Sequence, residues 1–520
     1  MQYPTPDPTE ISNMKEMVTS LVCGLFLLSH VCFGNPVDLE RPNFVVILCD
    51  DLGWGDLRCF GHPTIETPNL DKLATEGIRF TNAYAASVVC SPSRVGLMTG
   101  RNPVRAGIFD WIPEAKQVNS ATNSRHLVHM RRDEITLPQL LKKAGYATAM
   151  AGKWHCNSAF NSPEQPQPGD AGFDHWFATQ NNAAPSHKNP KNFVKDGTEV
   201  GALEGFSCQL VVRDAIAWLD KQQAATQRAA TQQPAKPRQP FFLYVALHEP
   251  HEPVASPPEL VAKYLPSAKN EDEAQFFANV ENMDRAVGEF CVALKRLKLD
   301  ENTVIFFSSD NGPETLSRYP AAKRSYGRPG TLRGMKLWTT EGGCRVPGIM
   351  RWPAKIKPGQ TLDQPVCSLD LLPTFCSLAG ASLPPQRALD GTNIAALLQG
   401  SKFERERPLM WVYFNALNEQ RVAMRDGDWK LLARIGDTLA PQANITHRNE
   451  SSIRSATLSG FSLYNLRLDP NETNDMALKE SSVLASLRSK MEAGYQDLLK
   501  DMHVWPDQPN PLAASEDAKK

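Results

Sequence analysis

Phe44-Val45-Val46-Ile47-Leu48-Cys49-Asp50-Asp51 is the stretch that decides the fold. Six consecutive apolar residues leave no polar face, so the segment reads as a strand buried on both sides, with two carboxylates at its carboxyl end. Residues 147–151, 241–247 and 303–308 have the same texture. Helical patterns lie between them, at 137–144 and through Phe276, Val280, Met283, Val287, Phe290, Leu294 and Leu297, which step by three and four along one face. Strands alternating with helices predict an α/β fold: a large mixed, mainly parallel sheet sandwiched by helices. In such folds ligands gather beyond the carboxyl ends of the strands. Three of those ends carry chemistry: Asp50-Asp51, His248 to His251, and Asp310-Asn311.

The chain has 520 residues, 41% of them apolar, enough for two domains with real cores. We expect a large domain over 41–395, closed by a helix at 369–378, and a smaller one over 400–505. The smaller one shows short strand-like pieces at 411–414, 421–425, 429–432 and 461–466 and a terminal helix at 483–499. An antiparallel sheet with a helix is expected there. Residues 222–239 are rich in Ala, Gln and Pro and are read as a surface insertion. The net charge of −1 gives no footprint for nucleic acid or a membrane surface. Residues 1–35 resemble an export signal. Lys15 precedes an apolar run at 18–28, small residues at Cys32-Phe33-Gly34 suit cleavage, and Met14 or Met17 are alternative starts. The run is too short for a stable membrane span. The protein is therefore expected in the periplasm or outside the cell, or in a lysosome-like compartment of a eukaryote. The eleven cysteines show no C-x-x-C pair, which argues against a zinc site, and no disulfide is assigned.

Two bare carboxylates at a buried strand end repel each other and are costly to desolvate, and a divalent cation relieves both. Asp310-Asn311-Gly312 ends another apolar strand. Either motif alone is equally a solvated pair or a turn; together they offer oxygen ligands of the kind that suit calcium or magnesium. Cys90-Ser91-Pro92-Ser93-Arg94 has a proline suited to a first helical turn and a serine, Ser91 or Ser93, able to cap it. Cys90 would then stand at a positive helix end, with Arg94 one turn on. Lys153 and His155 follow a strand, His251 follows another, and Lys336 lies in a later loop. Arg94, Lys153, His155, His251 and Lys336 can surround one anion with a metal facing it.

These blocks occur in the order found in type I sulfatases of the alkaline phosphatase superfamily. Asp50 to Leu57, Thr67 to Asp71, Cys90 to Arg101, Gly145 to His155, His251 to Pro253, Ser309 to Gly312, and Lys336 with Glu341 to Pro347 carry the resemblance, which spans about residues 42 to 480. It is strongest to the arylsulfatase A and N-acetylgalactosamine-6-sulfatase branch. The resemblance implies a sulfuric ester hydrolase acting on a sulfated carbohydrate. It implies that Cys90 becomes formylglycine through a formylglycine-generating enzyme. One calcium ion would be held by Asp50, Asp51, Asp310, Asn311 and the modified Cys90. Arg94 would hold the formylglycine hydroxyl, Lys153 and Lys336 the sulfate oxygens. His155 would act on the aldehyde hydrate, and His251 on the leaving alcohol. Alternatives are a phosphate or phosphonate ester hydrolase, or a non-catalytic glycan binder if Cys90 stays a thiol. Leu337-Trp338 is bulkier than the family pattern, and the loop over 179–195 has no shared motif. From it Asn181 and His187 are candidate substrate contacts.

Overall fold

The strand at 43–50 lies near the middle of the large sheet. The computed structural model describes residues 41–118, 124–232, 238–315, 318–437 and 439–511; the segment expected to be an export signal lies outside them. Eleven strands make this sheet: β1 (Asn43–Asp50), β2 (Ile78–Tyr84), β3 (Ala147–Lys153), β4 (His175–Thr179), β5 (Val194–Lys195), β6 (Thr198–Glu199), β7 (Phe241–Pro250), β8 (Thr303–Ser309), β9 (Arg345–Arg351), β10 (Gln360–Leu362) and β11 (Val366–Cys367). Their order is β10-β2-β9-β8-β1-β7-β3-β4-β5-β6, with β11 beside β2. The central block β8-β1-β7-β3-β4 is parallel throughout. Val46 pairs with Tyr244 on one side and Phe306 on the other. Antiparallel β9 and the β5–β6 pair make the sheet mixed.

Side chains alternate across β1 and so feed two cores. Val45, Ile47 and Cys49 pack with helices α4 (Ser207–Gln232) and α5 (Glu271–Arg296). Phe44, Val46 and Leu48 join the opposite core, where Phe44 stacks on Phe375 with ring centroids 4.3 Å apart. The stripe expected from Phe276 to Leu294 is the buried face of α5. That helix starts at Asn270, whose side chain accepts from the Glu273 N–H, and ends in Lys295-Arg296, so its charges match its dipole.

The second sheet is antiparallel: β12 (Leu409–Val412), β13 (Val422–Asp426), β14 (Trp429–Ile435) and β15 (Leu458–Asn465), followed by helix α7 (Ser481–Lys500). Helices α1 (Pro68–Thr75), α2 (Cys90–Thr99), α3 (Leu137–Lys143) and α6 (Leu371–Ala379) complete those used below. The two sheets meet at a shared apolar cluster containing Tyr84, Trp411 and Leu432, and Trp411 Nε1–H donates to the Ala85 carbonyl at 2.8 Å. Residues 222–232 of the expected surface insertion continue α4 to Gln232. Ala and Gln are good helix formers, and the segment keeps its helix at the surface without an apolar face of its own.

Candidate active site

Parallel pairing brings four strand ends to one edge of the sheet. β1 ends at Asp50, β3 at Lys153, β7 runs to just before His251, and β8 leads into Asp310-Asn311. Helix α2 begins at Cys90 and is buried along its whole length. Its N-cap is Val89, which offers no side-chain cap, so neither serine caps the helix as expected. Ser91 Oγ instead accepts from the Ile112 N–H at 2.9 Å. The positive helix pole therefore stays at Cys90. One turn on, Arg94 Nε donates to Asp310 Oδ2 at 2.9 Å, and its Nη1 donates to the Lys153 carbonyl at 3.1 Å.

Behind Cys90, three buried carboxylates meet three buried basic side chains. Lys153 Nζ lies 2.5 Å from Asp50 Oδ2, Lys336 Nζ lies 2.7 Å from Asp51 Oδ2, and Arg94 Nη2 lies 2.8 Å from Asp310 Oδ2. Burial alone would raise the Asp50 carboxyl, but Lys153, His251 and Arg94 outweigh it and hold it well below the usual range. At Asp310 burial wins over Arg94, helped by Asp50, and pushes the carboxyl up to about 7. The donor chemistry fits a hard cation. Asp50 Oδ1 and Asn311 Oδ1 are buried and take part in no hydrogen bond, and they adjoin the Asp51 and Asp310 carboxylates. Among the described residues Asp50, Asp51 and His251 form a group of possible ligands whose atoms fall within 4.8 Å of one another. Asp310 is outside that group: Arg94 holds its Oδ2, and its Oδ1 accepts the Asp51 N–H at 3.2 Å.

In front of these charges opens a cavity of about 530 Å³, lined by Cys90, His155, His251 and Lys336 and walled by Trp111, Tyr319, Leu337 and several amides. His155 Nε2 donates to the Ile112 carbonyl at 3.0 Å, which leaves Nδ1 without a partner. Burial, then Lys153 and Arg94, hold this imidazole well below its ordinary pKa, so it is a neutral acceptor. His251 Nδ1 donates to the Glu252 carbonyl at 2.6 Å, and its Nε2 is 3.5 Å from Asp51 Oδ2. Burial and Lys336 lower it too. Burial pushes the Cys90 thiol up to about 11 despite Lys153 and Lys336. An unmodified Cys90 would be an un-ionised thiol and a poor nucleophile.

The family model described as Sulfatase matches residues 42–381, and one described as N-sulphoglucosamine sulphohydrolase, C-terminal, matches 335–438. The chain belongs to the sulfatase family. N-acetylgalactosamine-6-sulfatase of Sus scrofa is 31% identical over 493 residues, covering 89% of this chain and 87% of that one. Arylsulfatase A of Homo sapiens is 35% identical over 405 residues, covering 75% and 74%. Among solved structures, Ps i-CgsB in complex with k-i-k-neocarrahexaose superposes with a TM-score of 0.72 at 27% identity, covering 92% of this chain and 98% of that one.

The sulfatase's candidate residues do not all reach the cavity. Asn181 lines it, and its Oδ1 has no partner. His187 does not: it is fully buried, with Nδ1 accepting from Asn279 Nδ2 at 3.1 Å. Its assignment as a substrate contact is corrected accordingly; a loop histidine is drawn into the interior by α5. Lys153 and Arg94 also lie behind the cavity, occupied with carboxylates. Sequence reading missed Tyr244, whose hydroxyl lies 3.4 Å from Arg94 Nη1, and the wall formed by Trp111, Gln180, Asn182 and Tyr319. Gln180 had one usable signal, its place directly after a strand in the parallel block.

Proposed function

We propose that this sulfatase removes sulfate from a sulfated carbohydrate, with Cys90 matured to formylglycine by a formylglycine-generating enzyme and one calcium ion among Asp50, Asp51, Asp310 and Asn311. The cavity carries the reading: it joins a helix N-terminus at Cys90 to Lys336, two imidazoles and a wall of amides that suits hydroxyl groups. The matured aldehyde would supply a hydrate hydroxyl as nucleophile and a second hydroxyl for release of sulfate, and calcium held by those residues would supply Lewis-acid polarisation. The chain's own residues do the rest. Lys336 neutralises sulfate oxygens from the cavity wall while Lys153 adds positive charge from behind. His155 Nδ1 is free to take a proton, and His251 with Lys336 faces the departing alcohol. Arg94 fixes Asp310 and the end of β3. Buried carboxylates and cations already offset one another here, so a bound divalent ion would make the site attractive to a sulfate monoanion.

Two relatives are named for sulfatase activity on an amino sugar and on aryl esters, and one structural neighbour holds a neocarrahexaose. Another relative, steryl-sulfatase of Rattus norvegicus, is 31% identical over 449 residues. A sterol needs an apolar wall, whereas here Gln180, Asn181, Asn182 and Asn192 line the cavity, which favours a sugar. We further propose export, to the periplasm or beyond, on the apolar run at 18–28. Among the described residues no helix is long and apolar enough to cross a membrane.

Mass analysis of the Cys90 peptide from the native organism, with assays on sulfate and phosphate esters, tests the reading. We expect an aldehyde at position 90, sulfate release from sulfated sugars, and no turnover by Cys90→Ala. A thiol at position 90 in fully active enzyme, or phosphate release far exceeding sulfate release, would overturn it.

A further inference from the structure

A second cavity, of about 560 Å³, adjoins the first and shares Glu114, Gln180 and Asn192 with it. The second is not lined by Cys90, His155, His251 or Lys336. We infer that this second cavity is a subsite for a neutral sugar joined to the sulfated one, so that the substrate is an oligosaccharide whose neighbouring residue carries no sulfate. The inference rests on the carbohydrate reading above.

Gln180 gives the first argument. It is only 4% exposed, and its Nε2 donates to two carbonyls, of Asn157 at 2.7 Å and Ile112 at 3.2 Å. Two acceptors on one side fix the amide's orientation, so the other atom is an oxygen. That Oε1 is buried and accepts no hydrogen bond. It needs a donor, which a sugar hydroxyl supplies and a sulfate lacks.

Charge gives the second. The catalytic cavity is lined by Lys336 and the helix pole at Cys90. The second cavity has Lys116 and Lys191 against Glu114, Glu164 and Glu199, and Lys116 is already paired with Glu114 at 2.8 Å. Lys191 is left against Glu164 and Glu199, and these carboxylates would repel a second anion while accepting from hydroxyls. Phe160 adds an apolar surface; it is half-buried and set edge-on to Trp176, with centroids 5.7 Å apart. A ring partly covered by protein and partly facing a polar cavity is suited to the C–H face of a pyranose.

The mature enzyme would be given 4-methylumbelliferyl sulfate and a set of singly sulfated galactose, N-acetylgalactosamine and N-acetylglucosamine. The sugars it turns over would then be tested again extended by one neutral hexose, and by one hexose sulfate. We expect the neutral extension to raise kcat/KM about tenfold or more, and the sulfated extension to give no gain. Phe160→Ala should abolish the gain while leaving aryl sulfate turnover unchanged. Glu199→Lys, at an exposed position, should improve the sulfated extension selectively. Equal kcat/KM for single and extended sugars, or equal benefit from both extensions, would overturn the subsite while leaving the sulfatase reading intact. Aryl sulfate turnover with none of the sugars cleaved would defeat the carbohydrate reading and the subsite together.

Discussion

Lys336 is followed by a residue whose backbone is held in a strained form. Leu337 has φ 70°, a left-handed conformation that costs a non-glycine residue about 1–2 kcal/mol. Its surroundings impose it. The Lys336 N–H donates to the Pro313 carbonyl at 3.0 Å and the Leu337 N–H to the Val88 carbonyl at 2.9 Å. The Leu417 N–H closes on the Leu337 carbonyl at 3.0 Å, and the side chain packs in the apolar cluster that includes Cys90. Burial of such a side chain is worth about 1.5–3 kcal/mol, enough to offset the strain. The bulk at Leu337 that departs from the family pattern thus pins the lysine beside it. Losing an ammonium preset for sulfate oxygens should lower kcat about 100-fold or more. We therefore expect Lys336→Ala to fold, as judged by circular dichroism, and to lose that much activity on an aryl sulfate. A kcat within a few-fold of wild type would remove Lys336 from the catalytic role.

Strand and helix form a second set of constraints at the far side of the parallel block. His175 opens β4 and bridges two carboxylates, with Nδ1 2.9 Å from Asp196 and Nε2 2.8 Å from Asp214 on α4. Burial alone would lower this imidazole, but the hydrogen bonds and charges of Asp214 and Asp196 outweigh it and raise its pKa. A raised folded value means stabilisation that is complete below about pH 6.5, the ordinary histidine value, and lost as pH rises through the folded one. His175→Gln should therefore lower Tm at pH 6 and matter little at pH 9. An equal loss at both pH values would show that the charge plays no part. At this scale the sequence was most legible. Continuous apolar runs marked β1, β3, β7 and β8 because burial on both faces leaves no other pattern. The α5 stripe was visible because its apolar residues recur at steps of three and four, although other faces of that helix are buried as well. The outer half of α4 was not, since Ala and Gln carry no periodicity there. Nor were the cavity walls: Trp111, Gln180 and Tyr319 come from separate loops that only the folded sheet brings together. His187 resembled an exposed loop residue because its partner, Asn279, lies on a distant helix.

The whole molecule is joined by charge buried between its two sheets. Lys430 on β14 is fully enclosed, with Nζ 2.8 Å from Glu341 Oε1 and 3.3 Å from Glu472 Oε1. Glu341 also receives Arg345 Nε at 2.5 Å and the Tyr84 hydroxyl at 2.8 Å, and Arg425 on β13 bonds that same hydroxyl. Burial would raise the Glu341 carboxyl, yet Arg345 and Lys430 hold it well below the usual range, while at Glu472 burial wins and raises it. Glu341 follows the Lys336 loop by a few residues, so the small sheet is part of what fixes the lysine proposed to meet the sulfate oxygens. Removing one partner of a buried pair strands the other charge and costs about 3–5 kcal/mol, whereas removing both is far milder. Lys430→Met should lower unfolding free energy in urea by about that amount. Lys430→Met combined with Glu341→Gln should lose less than the sum of the two single changes, because Glu341 would no longer be left charged without its lysine. Strict additivity would mean that Lys430 and Glu341 are not coupled across the sheets and that this ion pair does not join them.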